Sequence, residues 1–277
     1  MSTHLPIILA HGITPFDRVI SHFIAKDNQP DDSFHYFRKI RSTLVSQGFQ
    51  AFHTRVAWAD SLERRAADLR DEILRLTEDF TRWPGVHIIA HSMGGLDARL
   101  MLYRFRMERK IASLTTIGTP HLGTAYADWG LKRFGVFIDM ARPLGVNLTG
   151  FRNLTREGCR RMNDELEAFE NNNGVIYRTV AGAQPRERVY MPLRLSHWIV
   201  EKEEGENDGL VSVTSAMWKK EYFLEKIDAD HFNQLGWWDR GEARTGIDRE
   251  AFEQNMRDLY VRIASGLKDR REEHDAG

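Results

Sequence analysis

Twelve residues, VHIIAHSMGGLD at 86–97, constrain what this chain can fold into more than any other stretch. An apolar run ending at Ala90 is followed by His91, Ser92 and Met93, then by Gly94 and Gly95, and then by a segment that reads as a helix. A serine between a buried strand and a helix start sits on a sharp turn, and small neighbours let the chain double back around it. Such a turn lifts the Ser92 hydroxyl above the sheet, and the helix start directs backbone N–H groups at arriving negative charge. Alanine stands at position 90 where a glycine is usual, and its methyl still permits the crossing. An ordinary strand-to-helix corner in which Ser92 merely caps the helix has the same local pattern. A serine hydroxyl is a poor nucleophile unaided, so the catalytic reading requires a histidine and an acid elsewhere.

The chain has 277 residues, 42% of them hydrophobic and 29% charged, with a formal net charge of −1. That length supports one substantial core. The charge balance gives no general attraction for nucleic acid or for acidic membranes. The basic cluster Arg104, Arg106, Arg109 and Lys110 is interspersed with other residue types and reads as a solvated helix face. Cys159 is the single cysteine, which excludes an intrachain disulfide. The opening MSTHLPIILAHG holds an apolar run too short for a secretory leader or a membrane span, and it reads as a first core strand. A cytoplasmic location is the expectation; secretion would need a leader that has been removed.

Apolar runs and amphipathic stretches alternate. Pro6–Ala10 reads as a strand, Ser33–Gln47 as a helix, Phe49–Thr54 as a strand, and residues 61–80 as the clearest helix, with Leu62, Ala66, Leu69, Ile73, Leu76 and Phe80 on one face. Val86–Ala90 is a strand, Leu96–Met107 a helix, and Ile111–Ile117 a strand. Regularity falters from Gly118 to about Arg156, then a helix near Thr155–Asn171 and a strand over Val175–Gly182 resume it. Arg186–Asp208 reads as loop-rich, with Glu201–Glu206 a solvated acidic loop; Phe252, Met256, Leu259, Ile263 and Leu267 stripe a last helix before a hydrophilic tail. This alternation predicts an α/β fold with a mostly parallel central sheet covered by helices on both faces. One domain over residues 1–277, with a large insertion at about 121–165 between two sheet strands, is the economical organisation.

Loops at the C-terminal edge of such a sheet build ligand sites. His11-Gly12-Ile13 leaves the first strand and His91-Ser92-Met93 leaves another, so the Ile13 and Met93 backbone N–H groups are the candidate oxyanion donors. The acid candidate is Asp208 in ENDGLV, although Asp-Gly is also a common turn pair. In hydrolases of this architecture the order is nucleophile, acid, histidine. After Asp208 only His231 and His274 remain, and His274 lies in the polar tail. Asp228 and Asp230 are rival acids but stand too close to His231 to orient it easily, and Asp97 better suits packing or capping. The assignment is Ser92 as nucleophile, His231 as base and Asp208 as the group that fixes the imidazole.

On these residues the chain resembles the true-lipase branch of the α/β-hydrolases, bacterial triacylglycerol lipases of the Pseudomonas and Burkholderia type. The blocks that carry the likeness are PIILAHGITPFD, HIIAHSMGGLDAR, LTTIGTPHLGT, NDGLVSVTSAMW and DHFNQLG, which span residues 6–236 in order. The AHSMGG elbow resembles that of small Bacillus lipases. The resemblance implies hydrolysis of acylglycerols or other lipid-like esters through an acyl-enzyme. It also implies a lid after Pro120, for which Trp129, Leu131, Phe134, Val136, Phe137, Ile138 and Met140 supply apolar surface. A helical insertion fixed on the core is the alternative. Many relatives bind a structural calcium beyond the catalytic histidine, but here Asn233 and Trp237 stand at the ligand positions, with Gln234 too early. No metal, no cofactor, no nucleic acid and no obligate protein partner is therefore expected; the expected partner is a small-molecule or lipid ester, met at most through a transient lipid-interface contact. The competing functions are a short-chain esterase, an intracellular phospholipase, an acyltransferase, or a non-catalytic lipid-binding protein on the same fold.

Overall fold

Parallel strands covered on both faces have no polar side to present, so the unbroken apolar runs of the sequence become the inner strands of the sheet. Ile7–Ala10 (β1), Ala51–His53 (β2), Val86–His91 (β3), Ile111–Ile117 (β4), Ile176–Gly182 (β5) and Phe223–Ile227 (β6) pair in the order β2-β1-β3-β4-β5-β6, every neighbour parallel. The computed structural model describes residues 5–13, 28–57, 60–141, 150–238, 246 and 248–267, with the side chains at 134–141 outside that description. Among the described residues the α-helices are Ile40–Ser46 (α1), Leu62–Thr77 (α2), Met93–Phe105 (α3), Ala125–Ala141 (α4), Gly150–Asn153 (α5), Arg156–Glu170 (α6), Arg194–Glu204 (α7), Val213–Met217 (α8) and Arg249–Ser265 (α9).

Alternation along each strand splits the core into two layers. Ile8, Ala10, Ile88, Ala90 and Leu114 face α2, α3 and α6, where Leu69, Ile73, Leu96 and Leu166 are buried. Ile7, Leu9, Ile89, Ile117 and Val180 face the other way, against Ile40 and Leu44 of α1 and Leu259, Tyr260 and Ile263 of α9. Full burial of each aliphatic side chain stabilises the fold by about 1.5–3 kcal/mol. Side chains just before the helices cap their starts: Ser61 accepts from Arg64 N at 3.3 Å, Thr155 from Gly158 N at 3.0 Å, and Asp248 from Glu250 N at 2.9 Å.

Two segments depart from the periodicity. Ser33–Lys39 is turn rather than helix, because the backbone of Asp32 accepts from His35 N and Lys39 N and its carboxylate accepts from Ser42 N and Oγ. Lys39, at φ 56°, then admits α1 only from Ile40. The acidic stretch at 201–206 is not a solvated loop throughout: α7 runs to Glu204, buries Ser196, His197, Ile199 and Val200, and uses Glu204 as a tie. Its carboxylate accepts from Ala125 N at 2.5 Å and from Ser212 Oγ at 2.5 Å. Between β4 and β5, α4 and α5 form a helical insertion consistent with a lid. No helix among the described residues is long and apolar enough to cross a membrane.

Strand order reverses at β1, since the chain moves outward to β2 and then back to β3. The β1 and β3 exits are therefore adjacent, which is where such sheets open a crevice. Gly94, in the first turn of α3, makes the crossing possible: a Cβ there would meet the Ala10 carbonyl oxygen at 2.6 Å and that of His11 at 2.8 Å. Replacing it should push the β1 exit away from the elbow. Gly94→Ala is expected to cost about 1–3 kcal/mol in chemical denaturation, and unchanged stability would contradict this account of the crossing.

Candidate active site

Ser92 occupies φ 56°, ψ −134° between β3 and α3, a backbone conformation strained for any residue with a side chain. The surroundings hold it there. Ser92 N donates to Ile117 O at 3.0 Å, while Ser92 O accepts from Gly95 N at 3.1 Å and from Thr119 Oγ1 at 2.7 Å. Gly12 lies against this turn, since a Cβ on it would fall 2.7 Å from Ser92 Cβ and 3.1 Å from Ser92 Oγ. The elbow and the β1 exit thus meet as the sequence requires.

The other two residues arrive from loops beyond β5 and β6. His231 Nε2 lies 2.9 Å from Ser92 Oγ, and His231 Nδ1 lies 2.8 Å from Asp208 Oδ2. The two loops are also joined directly, His231 N donating to Asp208 O at 2.8 Å. Asp208 is fully buried and saturated with donors: Oδ1 accepts from Leu210 N at 3.0 Å and Val211 N at 2.8 Å, while Oδ2 accepts from His231 Nδ1 and from Gln234 Nε2, each at 2.8 Å. This arrangement fixes the imidazole with Nδ1 as donor and presents Nε2 to the hydroxyl as acceptor, the geometry for removing its proton.

The rival acids are engaged elsewhere. Asp230 accepts from Tyr190 N, Phe232 N and Asn233 N, stapling the loop that carries His231, and Asp228 pairs with Arg188 at 2.7 Å. Asp97 forms a buried bidentate pair with Arg65. Arg65 also donates to His11 O at 3.0 Å and to Ala57 O, so this pair anchors the β1 exit from below. Arg65 follows Leu62 by three positions and precedes Leu69 by four, which sets it on the buried stripe of α2; that spacing was the signal in the sequence.

Ile13 directly follows the glycine that touches Ser92, and no described residue accepts from its N–H. Met93 opens α3, so its N–H has no intrahelical acceptor. Trp129 and Leu131 lie half-buried on α4, and Trp129 stacks on Tyr126 at 5.9 Å. Phe134, Val136, Phe137, Ile138 and Met140 belong to the same helix, but their side chains lie outside the described residues, as do Thr14–Asp17, Asp239 and His274. Asn233 is committed to the loop, its side chain bonding Asp230 N and Trp237 O. Among the described residues no three His, Cys, Asp or Glu side chains converge as a metal site.

Three buried histidines surround the site. Burial, reinforced by Arg65, lowers His11 to about 4; burial lowers His91 well below its ordinary value, helped by neighbouring His231; burial and Arg99 do the same to His121. Each is hydrogen-bonded: His11 Nε2 accepts from Val56 N, His91 meets Tyr36 and Gln234, and His121 meets Thr116 and Arg99.

Comparison with known proteins agrees with this geometry. A family model described as a PGAP1-like alpha/beta domain matches residues 49–141, which contain the elbow. The chain is 27% identical to triacylglycerol lipase 2 of Saccharomyces cerevisiae over 95% of its own length and 90% of that protein. It is 24% identical to a lipase of Staphylococcus epidermidis, matching 84% of this chain but 47% of that longer protein. Among solved structures, the mature Bacillus licheniformis lipase BlEst2 superposes with a TM-score of 0.64 at 20% identity, covering 84% of this chain and 89% of that one. A metagenomic carboxyl esterase superposes with a TM-score of 0.66 at 20% identity, over 84% and 66% of the two chains. The protein has the α/β-hydrolase fold, related to that of bacterial lipases and esterases. The triad-like arrangement of Ser92, His231 and Asp208, together with this likeness, supports the activity of a serine ester hydrolase.

The buried histidines make acid stability a direct check. A histidine whose folded pKa is depressed binds its proton more readily when unfolded, so its stabilising contribution is complete above about pH 6.5 and falls as the pH drops toward the folded value. For His11, held at about 4, lowering the pH from 6.5 to 5 should remove about 2 kcal/mol. Urea unfolding should show a lower midpoint at pH 5 than at pH 7; an equal or higher midpoint would contradict burial of these rings as neutral imidazoles.

Proposed function

We propose that this chain is a carboxylic-ester hydrolase acting on acylglycerols or other lipid-like esters, with Ser92 as nucleophile, His231 as general base and acid, and Asp208 as the orienting carboxylate. The observation that carries the reading is the continuous bridge from Asp208 Oδ2 through His231 to Ser92 Oγ, at 2.8 Å and 2.9 Å. Ser92 Oγ attacks the ester carbonyl as His231 Nε2 takes its proton. The tetrahedral oxyanion is received by the N–H groups of Ile13 and Met93. Imidazolium then protonates the leaving alcohol, and the C–O bond to it breaks. Water, deprotonated by the same imidazole, attacks the acyl-enzyme; the acid departs and Ser92 regains its proton.

In this reading the whole of residues 1–277 is one catalytic domain and the stretch at about 121–165 is its lid. Trp129, Leu131, Phe134, Phe137, Ile138 and Met140 then cover an acyl groove or meet a lipid aggregate. Support for the attachment of that lid comes from its root: Thr124 Oγ1 donates to Leu210 O at 2.6 Å beside Asp208, and Glu204 receives Ala125 N. We group the chain with the bacterial true lipases on its HIIAHSMGGLDAR and DHFNQLG blocks. The chemistry described needs no metal or cofactor. A cytoplasmic location belongs to the same reading; with Cys159 as the single cysteine, buried and its thiol pushed up to about 12 by desolvation, folding requires no oxidising compartment.

Rates on a series of short- to long-chain esters, measured below and above the concentration at which each aggregates, test the proposal. The expected result is a preference for long acyl chains and a rate increase once substrate aggregates. Rates that fall with chain length and follow monomer concentration would make the protein a short-chain esterase. Asp208→Asn should retain a weak residual rate, while Ser92→Ala should lose at least about 10⁴-fold in kcat. Transfer of the acyl group to an added alcohol in place of hydrolysis would indicate an acyltransferase, and no turnover of any ester would overturn the reading.

A further inference from the structure

A row of hydrogen bonds that the proposed chemistry does not call on runs behind the site. Gly12 N donates to Tyr36 Oη at 3.2 Å, Tyr36 Oη lies 2.8 Å from His91 Nδ1, His91 Nε2 lies 3.2 Å from Gln234 Oε1, and Gln234 Nε2 donates to Asp208 Oδ2 at 2.8 Å. It joins the loop before Ile13 to the carboxylate that holds His231, passing beneath Ser92 through the residue that precedes it.

The two ends of this row are fixed by chemistry. A backbone N–H can only donate and an ionised carboxylate can only accept. The three groups between them can each be turned either way: a hydroxyl rotates, an imidazole changes tautomer, and a carboxamide flips. With the ends fixed, all three must point in one direction. Tyr36 receives from Gly12 and donates to His91 Nδ1; His91 carries its proton on Nε2 and donates to Gln234 Oε1; Gln234 turns its N–H₂ to Asp208. Reversing any one member sets two donors or two acceptors face to face.

We propose, resting on the ester-hydrolase reading above, that Tyr36, His91 and Gln234 are positioning residues that couple the loop at Gly12 to Asp208, so that the oxyanion loop and the partner of His231 are set together. The surroundings are built for this. His91 and Gln234 are fully buried, and the Gln234 carboxamide fills a slot between Gly118 and Gly182 in which a Cβ from either glycine would collide with it. Tyr260 Oη donates to Gln234 O at 3.1 Å, fixing the backbone beneath that side chain. The neutral state of His91 is the one that the direction of the row requires; a second proton on Nδ1 would turn the Tyr36 hydroxyl proton out of the row. The row moves no proton during turnover and acts by holding atoms in place. Hydrogen bonds aligned head to tail polarise one another, so breaking one weakens the rest.

A double-mutant cycle on ester hydrolysis tests this, with Tyr36→Phe and Gln234→Met measured alone and together, and active sites counted by the acyl-enzyme burst. Each single variant is expected to lose roughly tenfold or more in kcat per active site, with KM within about twofold of wild type. The double variant should fall within about threefold of the worse single one, because the row is already broken. Losses that multiply to about a hundredfold would overturn the coupling, as would singles that change the number of active sites but not kcat per site. Wild-type protein that turns over no ester would instead overturn the ester-hydrolase reading. A second measurement holds if either variant fails to fold: nitrogen NMR of the wild-type imidazoles should find His91 protonated on Nε2 and bare on Nδ1 at neutral pH. The opposite tautomer would refute the proposal.

Discussion

In the proposed reading the imidazole of His231 can act only because three segments far apart in the chain are fixed to within hydrogen-bonding distance of one another. The rest of the molecule can be understood as what that constraint demands. Ser92 is carried on a strained turn whose backbone bonds to β4 and to Thr119. Asp208 stands in a turn that fills both of its oxygens, and its backbone carbonyl takes the His231 N–H. Asp230, which resembles a competing acid in sequence, instead spends both oxygens holding the histidine loop in shape. A parallel sheet suits this task, because every strand delivers its C-terminal loop to the same edge.

Two buried ionic clusters extend the same logic outward. Arg65 binds Asp97 on α3 and the His11 carbonyl at the β1 exit, so the helix behind Ser92 and the loop in front of it share one guanidinium. Arg99, also on α3, joins Glu170 at the end of α6 and stacks 3.9 Å from the Trp218 ring centroid. Buried ion pairs of this kind add little net stability compared with apolar packing, but breaking one partner is costly. Their effect here is to fix orientation: α3, which begins at the elbow, is held through Asp97 and Arg99 in its second turn to the layers around it.

The inner strands were legible because they are covered on both faces and therefore unbroken in hydrophobicity, Ile111–Ile117 being a strand to the residue, whereas the edge strand Phe223–Ile227, which alternates half-buried with exposed residues, does not read as a strand in the sequence. The meeting of Ser92, Asp208 and His231 was legible because the chemistry expected of such a site dictates residue type and order. The start of α1 was not, since Phe34, Phe37 and Ile40 keep a helical spacing while the Asp32 carboxylate and carbonyl impose a turn that spacing cannot reveal. Likewise α7 was hidden by its run of glutamates, one of which, Glu204, is an internal tie and not a solvated charge. Gln234 drew notice only beside a calcium pattern that the chain lacks, and Tyr36 drew none. Side chains that bind one another across a sheet edge leave no period in the sequence, so the polar row behind the site could be seen only in three dimensions.

The most direct test of the central claim, that Asp208 and His231 make the Ser92 hydroxyl reactive, is mass spectrometry after treatment with a serine-reactive phosphonate. The account predicts one adduct, on the peptide containing Ser92, absent in Ser92→Ala and formed far more slowly in His231→Ala. An unlabelled native protein, or labelling that persists at another residue when Ser92 is replaced, would contradict it.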